Sequence, residues 1–383
     1  MLAHWLLLRH NDVMIERIGI IGGGQLGRMM TVPAKQLGFE VTVLEANPGC
    51  PAAQVGADQI VGSITDEAAI RELADQTDVL TWEIEHIPAE LLLQLKAEGY
   101  NVSPDPWALL NIQDKLVQKQ NLVLLGIPVA EHVELEDVEL GQRLMYKSRR
   151  GGYDGRGNLV TDDPEEAAER FGGSSGQDSY FAEKLVPFRA EVAAIFARDR
   201  MGNVGHYPLV ETVHVDNICH TVMMPPRRTS CVAEARANAV GREVMEMLPG
   251  AGVFAIEMFV LEGDEIVVNE IAPRVHNSGH LTMEANETSQ FEQHVRAITG
   301  MPLGDMDPRH PDAMMINILG TRVDDVLDRT GLDAGLALGD VSVHFYGKTP
   351  RPERKIGHIT VVGENAPEVT EKAQQARRAL TNL

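Results

Sequence analysis

Little in this chain suits covalent cross-linking, polyanions or membranes. It has 3 cysteines, Cys50, Cys219 and Cys231. They are far apart, odd in number and include no C-x-x-C pair, which argues against a disulfide framework or a structural zinc site. A reduced, cytoplasmic setting fits that usage. Positive charge is scarce too: 34 Lys and Arg face 56 Asp and Glu, a formal net charge of −22. Such a chain has no global field to attract nucleic acid or an anionic membrane. A local basic cluster can still hold a small phosphate. The opening stretch "MLAHWLLLRHNDVMIER" carries one apolar run, Trp5–Leu8, before charges return. That run is too short for a secretory core or a membrane span. Residues 1–13 are expected to be a disordered extension. Internal repeats, low-complexity tracts and long linkers are also missing.

What is present is globular composition, 44% hydrophobic and 23% charged. The 383 residues are too many for one ordinary core and predict two or three packed units. "IGIIGGGQLGR" runs a buried strand over 17–21 into Gly22, Gly24 and Gly27. That spacing matches the dinucleotide fingerprint, with Glu45 about where a ribose-binding acid would lie. Read alone, it points to a nicotinamide or flavin oxidoreductase. Strands alternate with helices over 15–110, which predicts a parallel, doubly wound sheet. "TDEAAIRELAD" reads as a helix with Thr65 as N-cap. "IQDKLVQKQNLVLLG" reads as one helix closed by Gly126 and Pro128. From 129 to 275 short strands and glycine loops predict an α+β unit. "SQFEQHVRAITG" has a capping box at Ser289 and Glu292, an apolar face of Phe291, Val295 and Ile298, and a stop at Gly300. After about 312 the segments are strand-like and end in a helix near 366–381.

Four segments carry chemistry. In "VFAIEMFVLEGDEIVVNEIAPR", two strands flank Gly263-Asp264, which suits a two-residue type II′ turn. That turn sets Glu257 directly opposite Glu270 and points Asn269 to the other face. Directly opposed like charges are destabilising. A buried pair therefore needs a shared proton or a cation, and oxygen ligands favour magnesium. The alternative is the solvent face of an edge hairpin. Ala255, Phe259 and Leu261 share the face of Glu257 and argue against exposure. "KSRRGGYDGRGN" puts four glycines among Lys147, Arg149, Arg150 and Arg156. Its amides can approach phosphate oxygens, although it is not a Walker A loop and could be an ordinary basic hairpin. "APRVHNSGH" sets Arg274, His276, Asn277 and His280 just after Glu270, as an anionic substrate would require. "KTPRPERKIGH" gathers Lys348, Arg351, Arg354 and Lys355, either a phosphate site or a solvated turn. Magnesium ligands with a mobile phosphate-covering loop describe a nucleoside triphosphate site.

The motifs "GGGQLGRM", "IQDKLVQKQ", "RRGGYDGRGN", "NEIAPRVHNSGH", "SQFEQHVRAITG" and "RPERKIGH" follow one another over residues 17–360. In that order they resemble the N5-carboxyaminoimidazole ribonucleotide synthetase family of ATP-grasp enzymes. The resemblance implies an α/β and α+β chain with three units: a Rossmann-like pre-ATP-grasp domain over 14–111, an ATP-grasp domain over 112–305 and a small C-terminal domain over 306–383. It implies a homodimer that joins bicarbonate to the amine of 5-aminoimidazole ribonucleotide, with ATP cleaved to ADP and phosphate through carboxyphosphate, in purine biosynthesis. Lys115 and Lys147 would contact ATP phosphates. The loop Gly152, Tyr153, Asp154, Gly155, Arg156, Gly157 and Asn158 would close over them. Glu183, Lys184, Leu185 and Val186 would form the adenine hinge, Glu191 would hold the ribose, and His214 and Asn269 would add nucleotide contacts. Glu257 and Glu270 match the magnesium ligands, with manganese as a substitute. Arg274 would anchor bicarbonate or carboxyphosphate, and Asp154 and Lys348 would move the proton. His276 and Asn277 would adjoin the substrate, Arg354 and Lys355 would hold its 5′-phosphate, and Gln25 with Glu83 (or Glu85) would border it. The tail departs from the family pattern where Glu353 replaces a usual glycine. An oxidoreductase, a silent nucleotide-binding protein, and a ligase using formate or an amino acid are the competing readings.

Overall fold

In the computed structural model, residues 15–152, 157–171, 179–320 and 329–381 are described. The expected extension over 1–13, and Tyr153, Asp154, Gly155 and Arg156 of the glycine loop, lie outside them.

The first sheet is parallel throughout, as the alternation predicts. Its strands are β1 (Arg17–Ile21), β2 (Glu40–Glu45), β3 (Asp58–Val61) and β4 (Val79–Trp82), in the order β3-β2-β1-β4. The helices α1 (Gln25–Gln36) and α2 (Glu67–Gln76) make the crossovers that parallel pairing needs. β4 is buried along its whole length, as covering on both faces requires. The chain reverses direction across the sheet between β1 and β4, the switch point where open α/β sheets hold ligands. The N-cap of α2 is Asp66 rather than Thr65: its carboxylate accepts from Ala68 N–H at 2.9 Å. Thr65 is instead held back by Ser63, whose hydroxyl accepts its N–H at 3.2 Å.

A third helix, α3 (Ala89–Ala97), leads to α4 (Pro106–Gln113) and α5 (Lys115–Leu124). The sequence pattern predicts one helix from Ile112 onward, across the end of α4 and all of α5. Asp114 divides them, because its Oδ1 accepts from Leu116 and Val117 N–H at 3.0 and 3.3 Å while the carboxylate pairs with Arg149 at 2.7 Å. The break leaves Lys115 on the first turn of a new helix. Next comes a small antiparallel sheet of β5 (His132–Val133), β6 (Leu144–Ser148), β7 (Asn158–Thr161) and β8 (Tyr180–Lys184), ordered β5-β8-β6-β7.

The large sheet contains β9 (Phe188–Arg198), β10 (Val204–His206), β11 (Val210–Val215), β12 (Ile218–Met224), β13 (Gly252–Leu261), β14 (Ile266–Ala272), β15 (Asp312–Leu319), β16 (Val341–Phe345) and β17 (Lys355–Gly363). Its order is β14-β13-β9-β11-β12-β15-β17-β16, with β10 beside β9. The last three strands thus extend the same sheet. The helix Gln290–Thr299 is capped by Ser289, buries Phe291, Val295 and Ile298, and ends at the left-handed Gly300, as its motif predicts. Its His294 joins the first sheet to the large one. Nδ1 accepts Val253 N–H at 3.1 Å and Nε2 lies 2.9 Å from the Thr81 hydroxyl. Burial pushes this imidazole down to about 4, so it stays neutral and serves as acceptor and donor at once. No described helix is long and apolar enough to cross a membrane.

The tail turn keeps the backbone that glycine would favour. Glu353 has φ +65°, a left-handed conformation that costs a side chain about 1–2 kcal/mol. Glu353→Gly should therefore raise the urea midpoint, corresponding to about 1 kcal/mol of unfolding free energy after the entropy of glycine is allowed for. A lower midpoint would show that the Glu353 side chain makes a stabilising contact instead.

Candidate active site

The acid pair forms, but by a different route from the one its sequence suggests. The turn is three residues, Glu262–Asp264, closed by Leu261 N–H to Glu265 C=O at 2.9 Å, with Gly263 at φ +78°. Next to the turn the pairing is displaced by one, with Met258 opposite Val268. An extra residue on β14 then restores it, and Glu257 faces Glu270. That extra residue is Asn269, a β-bulge. Bulges re-aim a side chain, so Asn269 does not point away as strict alternation predicts. It lines the cleft beside Glu270 and accepts from Lys147 Nζ at 3.0 Å. β13 lies between β9 and β14, so Glu257 is not on an edge strand.

Cations surround the pair unevenly. Lys115 Nζ reaches Glu270 at 3.0 Å. Desolvation works to raise the pKa of Glu270, but Lys115 outweighs it and holds the carboxyl below its usual value. Among the described residues the nearest basic group to Glu257 is His276, whose Nε2 lies at 3.6 Å and which burial keeps neutral, and desolvation raises the pKa of Glu257. One carboxylate is compensated and the other is not. Two oxygen donors on facing positions, one under-neutralised, suit a hard cation completed by phosphate oxygens and water. Behind them Glu183 is buried between Lys147 at 2.6 Å and Lys119 at 2.8 Å. Desolvation opposes its charge, yet the two lysines keep its pKa low. Its carboxylate thus fixes Lys147, while Lys184, Leu185 and Val186 line the cleft beyond it. Phe188 and Phe259 stack with centroids 4.7 Å apart and give the cleft an apolar wall. Glu191 accepts from His214 Nδ1 at 2.6 Å. Desolvation disfavours the imidazolium there, but this hydrogen bond and the nearby acids raise its pKa.

The glycine turn has an internal ligand. Glu83, at the end of β4, accepts from Gly24 N–H and, at 2.6 Å, from Gly27 N–H. These amides at the start of α1 are the ones a pyrophosphate would use. Gly27 is required by contact, since a Cβ there would lie 2.9 Å from the Gly22 carbonyl oxygen. The dinucleotide reading therefore fails at its own motif. Glu45 is likewise engaged locally, accepting from Asn47 Nδ2 at 3.0 Å. Beside the turn, Lys348 Nζ donates to Gln25 Oε1. Arg274 pairs with Glu85 at 2.7 Å.

One cleft of about 410 Å³ is lined by Gln25, Glu83, Lys115, Lys147, Gly152, Gly157, Asn158, Glu183, Lys184, Leu185, Val186, Glu191, His214, Glu257, Asn269, Glu270, Arg274, His276, Asn277 and Lys355. Of the expected residues that are described, Arg149, Arg150, His280, Lys348, Arg351 and Arg354 are not on its wall; Lys348 touches it through Gln25, and Arg354 donates to Thr349 C=O at 3.1 Å. His280 is buried behind the loop, with Gln290 Nε2 3.4 Å from its Nδ1. Sequence reading passed over Lys119 and Phe188 and gave Glu85 only as an alternative. Lys119 follows Lys115 by four residues, the helical spacing that puts both on one face. Glu85 carries no such signal, because its partner is 189 positions away in the chain.

Three family models match the chain: a ribonucleotide synthetase preATP-grasp domain over residues 15–113, an ATP-grasp domain over 123–291, and a phosphoribosylaminoimidazole carboxylase C-terminal domain over 313–372. The phosphoribosylaminoimidazole carboxylase of Ogataea methanolica is 42% identical over 91% of this chain, which spans 67% of that longer protein. The N5-carboxyaminoimidazole ribonucleotide synthase of Mycobacterium tuberculosis is 37% identical over 95% of this chain and 88% of its own. Among solved structures, the carboxyaminoimidazole ribonucleotide synthase of Aspergillus clavatus complexed with ATP is 36% identical, covers 96% of this chain and 99% of that one, and superposes with a TM-score of 0.88. The N5-carboxyaminoimidazole synthase of the same organism, in complex with ADP and 5-aminoimidazole ribonucleotide, has a TM-score of 0.85 at 35% identity over 97% and 100% of the two chains. With the cleft and its facing acids, these likenesses establish that the chain belongs to the N5-carboxyaminoimidazole ribonucleotide synthase family of ATP-grasp ligases.

Proposed function

We propose that the cleft carboxylates 5-aminoimidazole ribonucleotide with bicarbonate and ATP. The observation that carries this reading is the facing pair Glu257 and Glu270, set between Lys115 and Lys147 on one side and Arg274 on the other. The stacked Phe188 and Phe259 and the 184–186 segment suit the adenine base, Glu191 the ribose hydroxyls, and His214 and Asn269 further nucleotide contacts. Glu257 and Glu270 would hold magnesium, or manganese in its place. Bound there, the ion supplies charge neutralisation at the phosphate oxygens.

Bicarbonate held by Arg274 attacks the γ-phosphorus. The bond to the β-bridging oxygen breaks and leaves ADP and carboxyphosphate. Lys115 and Lys147 stabilise the charge that develops on the transferred group. The ribonucleotide amine then attacks the carboxyl carbon, phosphate departs, and the amine loses a proton. Asp154, assigned from the family resemblance, and Lys348 are the groups proposed to take it. Arg354 and Lys355 hold the 5′-phosphate. The amides of the glycine turn are already taken by Glu83, so Gln25 and Glu83 form a wall of the ribonucleotide pocket rather than a phosphate cradle. His276 and Asn277 close its other side. Family resemblance further supports a homodimer, and the cysteine usage a reducing cytoplasm.

Phosphate release from ATP should require bicarbonate and the ribonucleotide together for full rate, measured with each omitted in turn. Stimulation by formate in place of bicarbonate would redirect the substrate assignment. Glu270→Gln should lower that rate about 100-fold or more, as loss of one preorganised charge-stabilising group does, while far-UV circular dichroism stays unchanged. Wild-type turnover would sink the assignment of the acid pair. Glu85→Gln should lower kcat about 10-fold with little change in the KM for ATP, because it removes a charged hydrogen bond that aims Arg274. A change confined to the KM for ATP would place Arg274 at the nucleotide instead.

A further inference from the structure

A second group of metal-ligating side chains lies outside the cleft. His344 on β16 and His358 on β17 occupy directly paired positions, and Glu284 belongs to the short helix Thr282–Ala285 packed on β17. One ligand atom from each of the three lies within 4.8 Å of the other two, and among the described residues this is the one group of its kind. None of the three lines the nucleotide cleft.

We propose that Glu284, His344 and His358 form a binding site for a borderline divalent cation such as zinc. Two observations beyond proximity support it. Glu284 Oε2 and His358 Nε2 are both buried without a hydrogen-bond partner. A buried orphan polar atom calls for an explanation such as an ion, and here an acid oxygen and an imidazole nitrogen are orphaned in one cluster. The outer partners are also those of a metal centre. His358 Nδ1 is 2.7 Å from the Tyr346 hydroxyl, and a metal-bound histidine commonly fixes its ring through its second nitrogen. His280, whose Nε2 is likewise buried and unpartnered, packs its ring 5.1 Å from that of His358.

Two imidazoles and one carboxylate are a zinc donor set that leaves a fourth position for water, and they are poor ligands for magnesium. Zinc bonds of about 2.0–2.2 Å set tetrahedral ligand atoms about 3.4 Å apart. The widest separation allowed here, 4.8 Å, must therefore close by at most about 1.4 Å. The present 2.7 Å hydrogen bond between His344 Nε2 and Glu284 Oε1 shows that two of the three already come closer than that. The side chains of His344 and Glu284 are 28% and 17% exposed, which gives an ion a way in. Bound there, it would tie the helix after the Arg274–His280 loop to the strands that carry Lys355 and lead to Lys348. Its role is to hold the C-terminal strands against the site, independently of the cation at Glu257 and Glu270.

The test uses tag-free full-length protein stripped with a chelator and titrated with cobalt(II). One equivalent per chain should produce the intense visible bands of four-coordinate cobalt. They should persist in Glu270→Gln, vanish in His344→Gln and Glu284→Gln, and be displaced by zinc. Zinc should also raise the thermal midpoint of wild-type protein but not of the two variants. Should those variants not fold, anomalous scattering from zinc-soaked wild-type crystals locates the ion directly. A peak among Glu284, His344 and His358 supports the proposal. No four-coordinate bands, bands lost in Glu270→Gln instead, or an anomalous peak only at the acid pair would overturn it.

Discussion

Two carboxylates facing each other across adjacent strands are a cost that the rest of the site has to offset. Directly opposed like charges destabilise a sheet, and desolvation in the cleft increases the penalty. Glu270 is compensated by Lys115. Glu257 is left with a raised pKa and a distant His276. Local features of the backbone hold the groups around the pair. The helix break at Asp114 puts Lys115 within reach of Glu270. The bulge at Asn269 brings an amide beside Lys147. Glu183 keeps Lys147 aimed forward by pairing with it from behind. That arrangement supports the proposed metal–triphosphate site.

The glycine turn shows how a backbone motif can be preserved while its ligand changes. G-x-G-x-x-G specifies a tight strand-to-helix turn with free amides at the start of a helix. In this chain those amides bind Glu83, from a neighbouring strand of the same sheet. The turn keeps its anion-binding character, and an internal carboxylate satisfies it. Glycine at position 27 is needed because the Gly22 carbonyl lies against it. The cleft still opens at the switch point of the first sheet, while the facing acids lie on the large one.

Much of this was legible because it depends on local pattern. The parallel first sheet follows from strand–helix alternation, and the Ser289–Gly300 helix from its cap, apolar face and stop. The pairing of Glu257 with Glu270 was legible only through two compensating irregularities. A turn one residue longer than expected and a bulge of one residue cancel at that position. The bulge itself leaves no sign in apolar alternation, so the orientation of Asn269 was not foreseeable from periodicity. Contacts such as Arg274 with Glu85 and Lys348 with Gln25 depend on how sheets dock, and periodicity carries no information about them. Asp114 broke an apparently continuous helix because a side chain that bonds backbone amides competes with the helix it interrupts.

We propose that the facing acids are a cation site completed by nucleotide phosphates. Manganese(II) replaces magnesium and is visible by electron paramagnetic resonance, so its free signal reports binding directly. Titrating the protein with manganese, with and without ADP, tests the claim most closely. Binding should be weak alone and much tighter with ADP, and Glu257→Gln should lose that gain. Equal affinity with and without nucleotide, or an undiminished gain in Glu257→Gln, would contradict it.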